Sequence, residues 1–221
     1  MKNNTIESLL IIYTADEGKL KILLKKKEEE PYKGYWIIPG EKLTDDTALE
    51  DNPKVAFKNI ANINIEDIKA AGIYSEININ EERIIELTYT TIIDKNIVDI
   101  KKDDSTEWFD IDELPKIGYN HSEIIEKAAK DIKEKIIYNS DNIMLELFRN
   151  DFTLSELQTF YENISGKKID RRNFRKKMIT QNLVIDTGEK TSSSAGRPGK
   201  LYMFNKDNLK GKILWIKKVG D

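Results

Sequence analysis

The feature that most limits how this chain can fold lies in its last third. Thr153-Leu154-Ser155-Glu156 has the Thr-x-x-Glu form of a capping box, in which the threonine side chain closes the first turn of a helix. Leu154, Leu157, Tyr161 and Ile164 then recur at helical spacing, and Gly166 supplies a stop. Asp170 caps a second helix, Arg171 to Gln181. Two starts with one stop between them predict two short helices joined by a tight turn. A shorter helix over Asn142 to Phe148 precedes them. Two β-prone runs follow, Leu183-Val184-Ile185 and Leu201-Tyr202-Met203-Phe204, separated by a stretch from Thr187 to Lys200 rich in Ser, Gly and basic residues. Three helices and a hairpin with a long polar tip make the layout of a winged helix-turn-helix.

The second of these helices has two unlike faces. On a helical wheel Phe174 and Met178 share one side, while Arg172, Arg175 and Lys176 fall on or near the other, with Arg171 and Asn173 flanking them. A recognition helix needs this division: an apolar face to anchor it and a basic face to enter the major groove. Arg reads guanine bidentately, Asn reads adenine, and Lys meets phosphate. Ser155 and Gln158 on the preceding helix, and Lys190, Arg197 and Lys200 beside the hairpin tip, extend the candidate DNA-binding set. The segment Ser165 to Lys200 holds 10 basic and 3 acidic residues. A solvated basic helix in an ordinary small domain is the plain alternative, and a winged helix that binds protein or RNA is another. The capped helix before it and the basic wing after it favour duplex DNA.

The upstream part has a different rhythm. Residues Ser8 to Lys26 read as a hairpin around Asp16-Glu17-Gly18. Tyr35 to Gly40 is a short strand ended by Pro-Gly. Thr47 to Asn62 carries a weak helical pattern with Pro53 at or before its first turn. Further strands are expected around Gly72-Ile73-Tyr74, from Arg83 to Ile93 and at Glu107-Trp108-Phe109, and Asp112 to Pro115 reads as a turn or short helix. Ser122 to Ile137 has a clear apolar stripe and reads as a long helix leaving the domain. The fold class is therefore α/β (α+β). A mixed-sheet domain at 1–138, including a connecting helix at 120–138, is followed by a winged helix at 139–221.

Charge supports this division. The net charge of −3 over 221 residues hides a split: from Asn139 onward there are 16 Lys+Arg against 10 Asp+Glu, and before it 20 against 29. Cysteine is absent, which rules out disulfides, thiol nucleophiles and Cys-based zinc sites. No apolar run is long enough to span a membrane, and Met1-Lys2-Asn3-Asn4 leads into a strand without a signal-peptide pattern. A cytoplasmic protein is expected.

Several of these segments resemble the NrtR-type Nudix-related transcriptional regulators. The resemblance is carried by Phe152 to Gln158, Tyr161-Glu162, Asp170 to Lys177, Gly196-Arg197-Pro198 and Leu201-Tyr202. Upstream, Trp36-Ile37-Ile38-Pro39-Gly40, Trp108-Phe109, Leu114-Pro115 and Asn120-His121 fit the family's order more loosely. The resemblance implies a Nudix-like sandwich that binds a small effector, a winged helix that binds an operator, and a homodimer, with no cofactor. Members sense ADP-ribose and repress NAD-synthesis genes, and relatives respond to sugars such as arabinose. By position, the resemblance puts Trp36, Gly40, Arg83 and His121 near the effector cleft. Three of them have a second reading: core packing for Trp36, strand surface for Arg83, and a cap or hinge for His121.

A Nudix hydrolase needs a helix with an Arg-Glu-x-x-Glu-Glu cluster, whose carboxylates hold Mg²⁺ and help activate water. Here the cluster reads Lys54-Val55-Ala56-Phe57-Lys58-Asn59, without a carboxylate, and Glu41 replaces the second glycine of the Pro-Gly-Gly strand. Asp45, Asp46, Glu50 and Asp51 lie nearby at spacings that do not rebuild it. A regulator without catalytic or metal-binding residues is expected, with a Nudix hydrolase acting on a nucleoside diphosphate derivative as the alternative. The family's Arg-Asp-Pro-rich loop is replaced by the acidic Glu76 to Glu82, so a neutral sugar, an altered nucleotide or no ligand stays open beside ADP-ribose.

Overall fold

The computed structural model describes residues 5–61, 65, 67–77, 83–95, 105–138, 142–192 and 198–209. Its contacts divide the chain into two compact units, Met1–Thr14 with Lys21–Ala129, and Ala15–Leu20 with Lys130–Asp221.

The first unit is built on a mixed sheet. Strands β1 (Thr5–Asp16), β2 (Lys19–Lys26), β3 (Trp36–Ile37), β4 (Gly40–Lys42), β5 (Lys69–Ile77), β6 (Arg83–Ile92) and β7 (Thr106–Asp110) form it, together with helices α1 (Asn52–Lys58) and α2 (His121–Tyr138). The sheet runs β3-β2-β1-β6-β5, with β4 also on β1 and β7 on β2. β1 pairs with β6 in parallel, from Thr5 opposite Ile84 to Tyr13 opposite Ile92, and β5 pairs with β6 antiparallel. A strand buried on both faces reads as an unbroken apolar run, and β1 does so from Leu9 to Tyr13. Leu10 and Ile12 pack with Leu23, Phe57, Ile60 and Ala61 on one side. Alternation sends Glu7, Leu9 and Ile11 to the other.

The expected helix across Thr47 to Asn62 is confined to Asn52–Lys58, with Pro53 in its first turn, where a missing amide hydrogen costs nothing. The expected long helix is α2, one residue longer at each end. Asp112 to Pro115 is a turn, its entry held by the Asp110 carboxylate accepting from the Asp112 amide at 3.0 Å.

In the second unit, α3 (Ile143–Leu147), β8 (Phe152–Thr153), α4 (Leu154–Ser165), α5 (Arg171–Thr180), β9 (Val184–Lys190), β10 (Lys200–Phe204) and α6 (Lys206–Leu209) follow in order. Both expected caps form: Thr153 Oγ1 accepts from the Glu156 amide at 3.1 Å and Asp170 Oδ1 from the Asn173 amide at 2.8 Å. Gly166 ends α4 in the left-handed conformation, φ 64°. β8 adds a third strand that alternation did not reveal, pairing Phe152 with Tyr202 in the order β8-β10-β9. Edge-on contacts of Phe148 with Phe152 (5.4 Å) and Phe160 (5.1 Å), and a tilted pair of Phe152 with Phe204 (4.8 Å), fill the space between helices and sheet. Gly18 belongs to this unit as well. Its carbonyl accepts from Asn163 Nδ2 at 2.7 Å, and a Cβ there would meet Thr159 Cγ2 at 2.7 Å.

The turn between α4 and α5 is braced by one carboxylate. Glu162 accepts from Gln158 Nε2 (3.0 Å), the Ile169 amide (2.9 Å) and Lys168 Nζ (2.9 Å). These bonds, the one from Gln158 first, hold its carboxyl down from 4.5 to about 2. A carboxyl depressed in the fold stabilises above its unfolded value, and loses that contribution as pH falls toward the folded value. Urea unfolding of wild type and Glu162→Gln is therefore expected to differ most above about pH 4.5 and to converge toward pH 2. A gap that stays constant across this range would remove the carboxylate from the brace.

Candidate nucleic-acid interface

α5 turns its apolar side inward as its spacing requires: Phe174 and Met178 are 1% and 0% exposed. Arg171, Arg172, Asn173, Arg175 and Lys176 are all exposed, while Lys177 is half-buried and desolvation lowers the pKa of its ammonium. Four cations thus crowd the exposed part of a ten-residue helix. Mutual repulsion at this density is tolerated where an anion is to be met.

The side chains of this surface fall into two groups. Arg172, Asn173 and Lys176 stand on the outer surface of α5. Ser155, Gln158, Arg171, Arg175 and Lys200, with Tyr202 behind them, line one concave pocket of about 110 Å³. Within it Arg171 Nη2 lies 3.5 Å from Ser155 Oγ, and Arg175 Nη2 donates to the Tyr202 hydroxyl at 3.1 Å with its guanidinium 6.0 Å from the ring centre. Gln158 spends its amide group on Glu162 and on the Ile169 carbonyl at 2.9 Å, so it supports the turn. Lys190 is exposed and pairs in register with Lys200. Lys200 Nζ meets Asp186 at 2.7 Å, which raises the lysine's pKa and lowers that of the aspartate. Arg197 lies outside the described residues. Tyr202 was legible only as a strand residue; its role as the acceptor for Arg175 comes from pairing across the domain.

The residues expected near an effector cleft have separate fates. His121 is the first residue of α2 and 3% exposed. Its Nδ1 accepts from the Ile38 amide at 3.0 Å, so the ring proton sits on Nε2, 3.2 Å from Glu86 Oε1. Asn120 Nδ2 donates to the other oxygen of Glu86 at 3.0 Å. Glu7 lies opposite Glu86 in the parallel register. Burial holds its carboxyl above the usual range, and Glu86 adds to the push. Gly40 is required by close packing, because a Cβ would meet Leu9 Cδ2 at 2.6 Å and Glu7 Oε1 at 3.0 Å. Trp36 is half-buried, edge-on to Phe109 at 4.7 Å with Lys26 Nζ 5.7 Å above its ring. Arg83 is exposed at the start of β6. His121 therefore belongs to a buried network with Glu86, Gly40 packs against Leu9 and Glu7, and Trp36 and Arg83 present accessible surface. Neither the buried Glu86 nor the half-buried Glu7 was singled out from the sequence.

On the opposite side of β4, Glu41 accepts from Asn59 Nδ2 at 2.8 Å and its carbonyl from Asn52 Nδ2 at 2.8 Å. α1 carries Lys54 and Lys58 and no carboxylate, and Lys54 pairs with Asp51 at 2.8 Å. Among the described residues no group of three or more His, Asp or Glu side chains is placed to hold a metal ion, and no helix is long and apolar enough to cross a membrane.

Residues 144–204 match the NrtR DNA-binding winged helix domain. Over 210 residues the chain is 25% identical to the ADPR responsive transcriptional repressor NtrR of Acinetobacter baylyi, covering 88% of this chain and 80% of that protein. The structure of Shewanella oneidensis NrtR complexed with a 27mer DNA superposes with a TM-score of 0.73 at 23% identity, over 95% of this chain and 97% of the other. A MutT/nudix family protein from Enterococcus faecalis gives 0.65 at 20% identity, over 93% and 88%. The winged helix and the Nudix-like mixed-sheet fold expected from the sequence are the fold of this chain.

Replacing His121 by Ala strips a donor from the buried Glu86 carboxylate. It is expected to cost about 1.5–3 kcal/mol, the range for hydrogen bonds to charged groups. Denaturant unfolding followed by far-ultraviolet circular dichroism measures this, and an unchanged midpoint would show that the network does not anchor α2.

Proposed function

We propose that this chain is a sequence-specific transcriptional repressor whose Nudix-like part binds a small effector and hydrolyses nothing. The observation that carries the DNA half is α5: Phe174 and Met178 fix it in the core while Arg172, Asn173 and Lys176 stay free to face a groove. In this reading residues 1–138 form the sensing and dimerising domain, with 120–138 as its connecting helix, and 139–221 the operator-binding domain. A homodimer would set two α5 helices on a two-fold symmetric operator.

The absence of hydrolysis follows from α1. Mg²⁺ is held by oxygen ligands, and a helix offering Lys54, Lys58 and Asn59 in their place repels the ion. For the effector we take the class named for the Acinetobacter relative, an ADP-ribose-like nucleotide, with a sugar as the second candidate. Trp36 offers a ring to stack on and Arg83 a fork for phosphate or carboxylate, while Gly40 and His121 shape the floor beneath.

Genome-wide selection of bound fragments supplies the duplex for the direct test. Binding should weaken steeply with salt, and Arg172→Ala or Asn173→Ala should each cost about 1–3 kcal/mol while relaxing base preference at one position. Retention of full affinity by both variants would reject α5 as the reading helix. Calorimetry with ADP-ribose and with arabinose decides the effector class, and Trp36→Ala should weaken the ligand that binds. The pure protein is expected to show no Mg²⁺-dependent turnover of ADP-ribose; turnover would restore the hydrolase alternative.

A further inference from the structure

We infer that the pocket between the start of α4, the side of α5 and β10 is a seat for one phosphate of the DNA backbone, and that Arg171 and Arg175 serve this seat instead of reading bases. The inference rests on the DNA-binding reading above and assigns one of its contacts.

Four observations converge on it. First, Arg171, Arg175 and Lys200 come from two separate segments, yet they line the same cavity, and no carboxylate is among the lining residues. Second, Arg175 is tethered. A guanidinium that donates to the Tyr202 hydroxyl at 3.1 Å cannot reach the groove floor without breaking that bond, but it keeps further N–H groups in its planar fork to offer an oxyanion. Tyr202 is 3% exposed and fixed in the strand, so the tether is stiff. Third, the pocket opens at the N-terminus of α4, beside Thr153 and Ser155, where first-turn amides lack intrahelical partners and the helix dipole favours negative charge. Fourth, about 110 Å³ is far above the roughly 10–15 Å³ that holds one water, so a tetrahedral phosphate can enter. Asp186 works against this by engaging Lys200 at 2.7 Å; an arriving phosphate competes for that ammonium.

The consequence is a division of labour along α5. Arg172, Asn173 and Lys176 carry sequence preference, whereas Arg171 and Arg175 set register and affinity for any sequence. A free phosphate-bearing small molecule shares the chemistry of a backbone phosphate, and the test separates the two.

The experiment uses the full-length protein with the selected duplex and a scrambled duplex of equal length. Arg175→Ala should weaken both by the same factor, about tenfold, and lower the salt slope by about 1, with base preference unchanged. Arg175→Lys should keep the slope while losing part of the affinity, and Tyr202→Phe should reproduce a smaller, equally sequence-independent loss. Duplexes carrying a neutral methylphosphonate at one position at a time should reveal one position per half-site that weakens the wild type and leaves Arg175→Ala no weaker. A changed base preference in Arg175→Ala with an unchanged salt slope would make Arg175 a base reader and overturn the assignment. Saturable binding of inorganic phosphate at matched ionic strength, abolished by Arg175→Ala, would give the pocket to a free anion instead. Failure of the wild type to bind any duplex rejects the DNA reading itself, a different outcome from either.

Discussion

Burial of Phe174 and Met178 is the constraint on which the second unit turns. Two apolar side chains at helical spacing, each essentially inaccessible, fix both the rotation and the depth of α5. The polar residues of that helix, the half-buried Lys177 apart, are then displayed by default. Neither the cations nor their mutual repulsion could choose this orientation, because solvated charges gain little from any one direction. The hydrophobic anchor, worth about 1.5–3 kcal/mol per fully buried side chain, decides it. The caps at Thr153 and Asp170 and the brace at Glu162 then set where the helix begins and how it meets α4. A basic surface thus arises as the complement of an apolar one.

Much of this was legible in the sequence, for a simple reason. Caps, stops and helical periodicity act over three or four residues, and so Thr153, Gly166, Asp170 and the Phe174–Met178 pair announced themselves. What the sequence did not reveal depends on partners far along the chain. β8 exists because Phe152 and Thr153 find Tyr202 and Leu201 across the domain. The tie between Arg175 and Tyr202 spans 27 positions, and that between His121 and Glu86 spans 35. Arg175 carries no local sign that it differs from Arg172. Likewise the helical pattern over Thr47 to Asn62 proved longer than α1, because periodicity locates an apolar face and says little about where flanking turns take over.

The first unit sets two unlike polar surfaces on one apolar framework. Its sheet order, its parallel β1–β6 pair and the helix packed on Leu10 and Ile12 are intact. That helix carries Lys54 and Lys58, and its C-cap Asn59 engages Glu41. On the other face the acids are inside. Glu86 is satisfied by two donors, and Glu7 beside it is held above its usual range by burial. The unit thus uses the buried Glu86 as a structural acceptor at the start of α2, while α1 and its C-cap present amide and ammonium groups.

The interleaving of anchors and exposed residues on α5 has an evolutionary consequence. Phe174 and Met178 alternate with Arg172, Asn173 and Lys176 along the same ten residues, the first two buried and the other three exposed. Exchanges at the exposed positions fall in the class that changes stability by roughly half a kcal/mol or less. In the proposed DNA-binding reading, the helix is a replaceable reading head on a fixed mount. Under that proposal such a scaffold can drift from one operator to another through single substitutions at residues 172, 173 and 176, each intermediate still folding, while the mount remains recognisable long after the sequence it reads has changed.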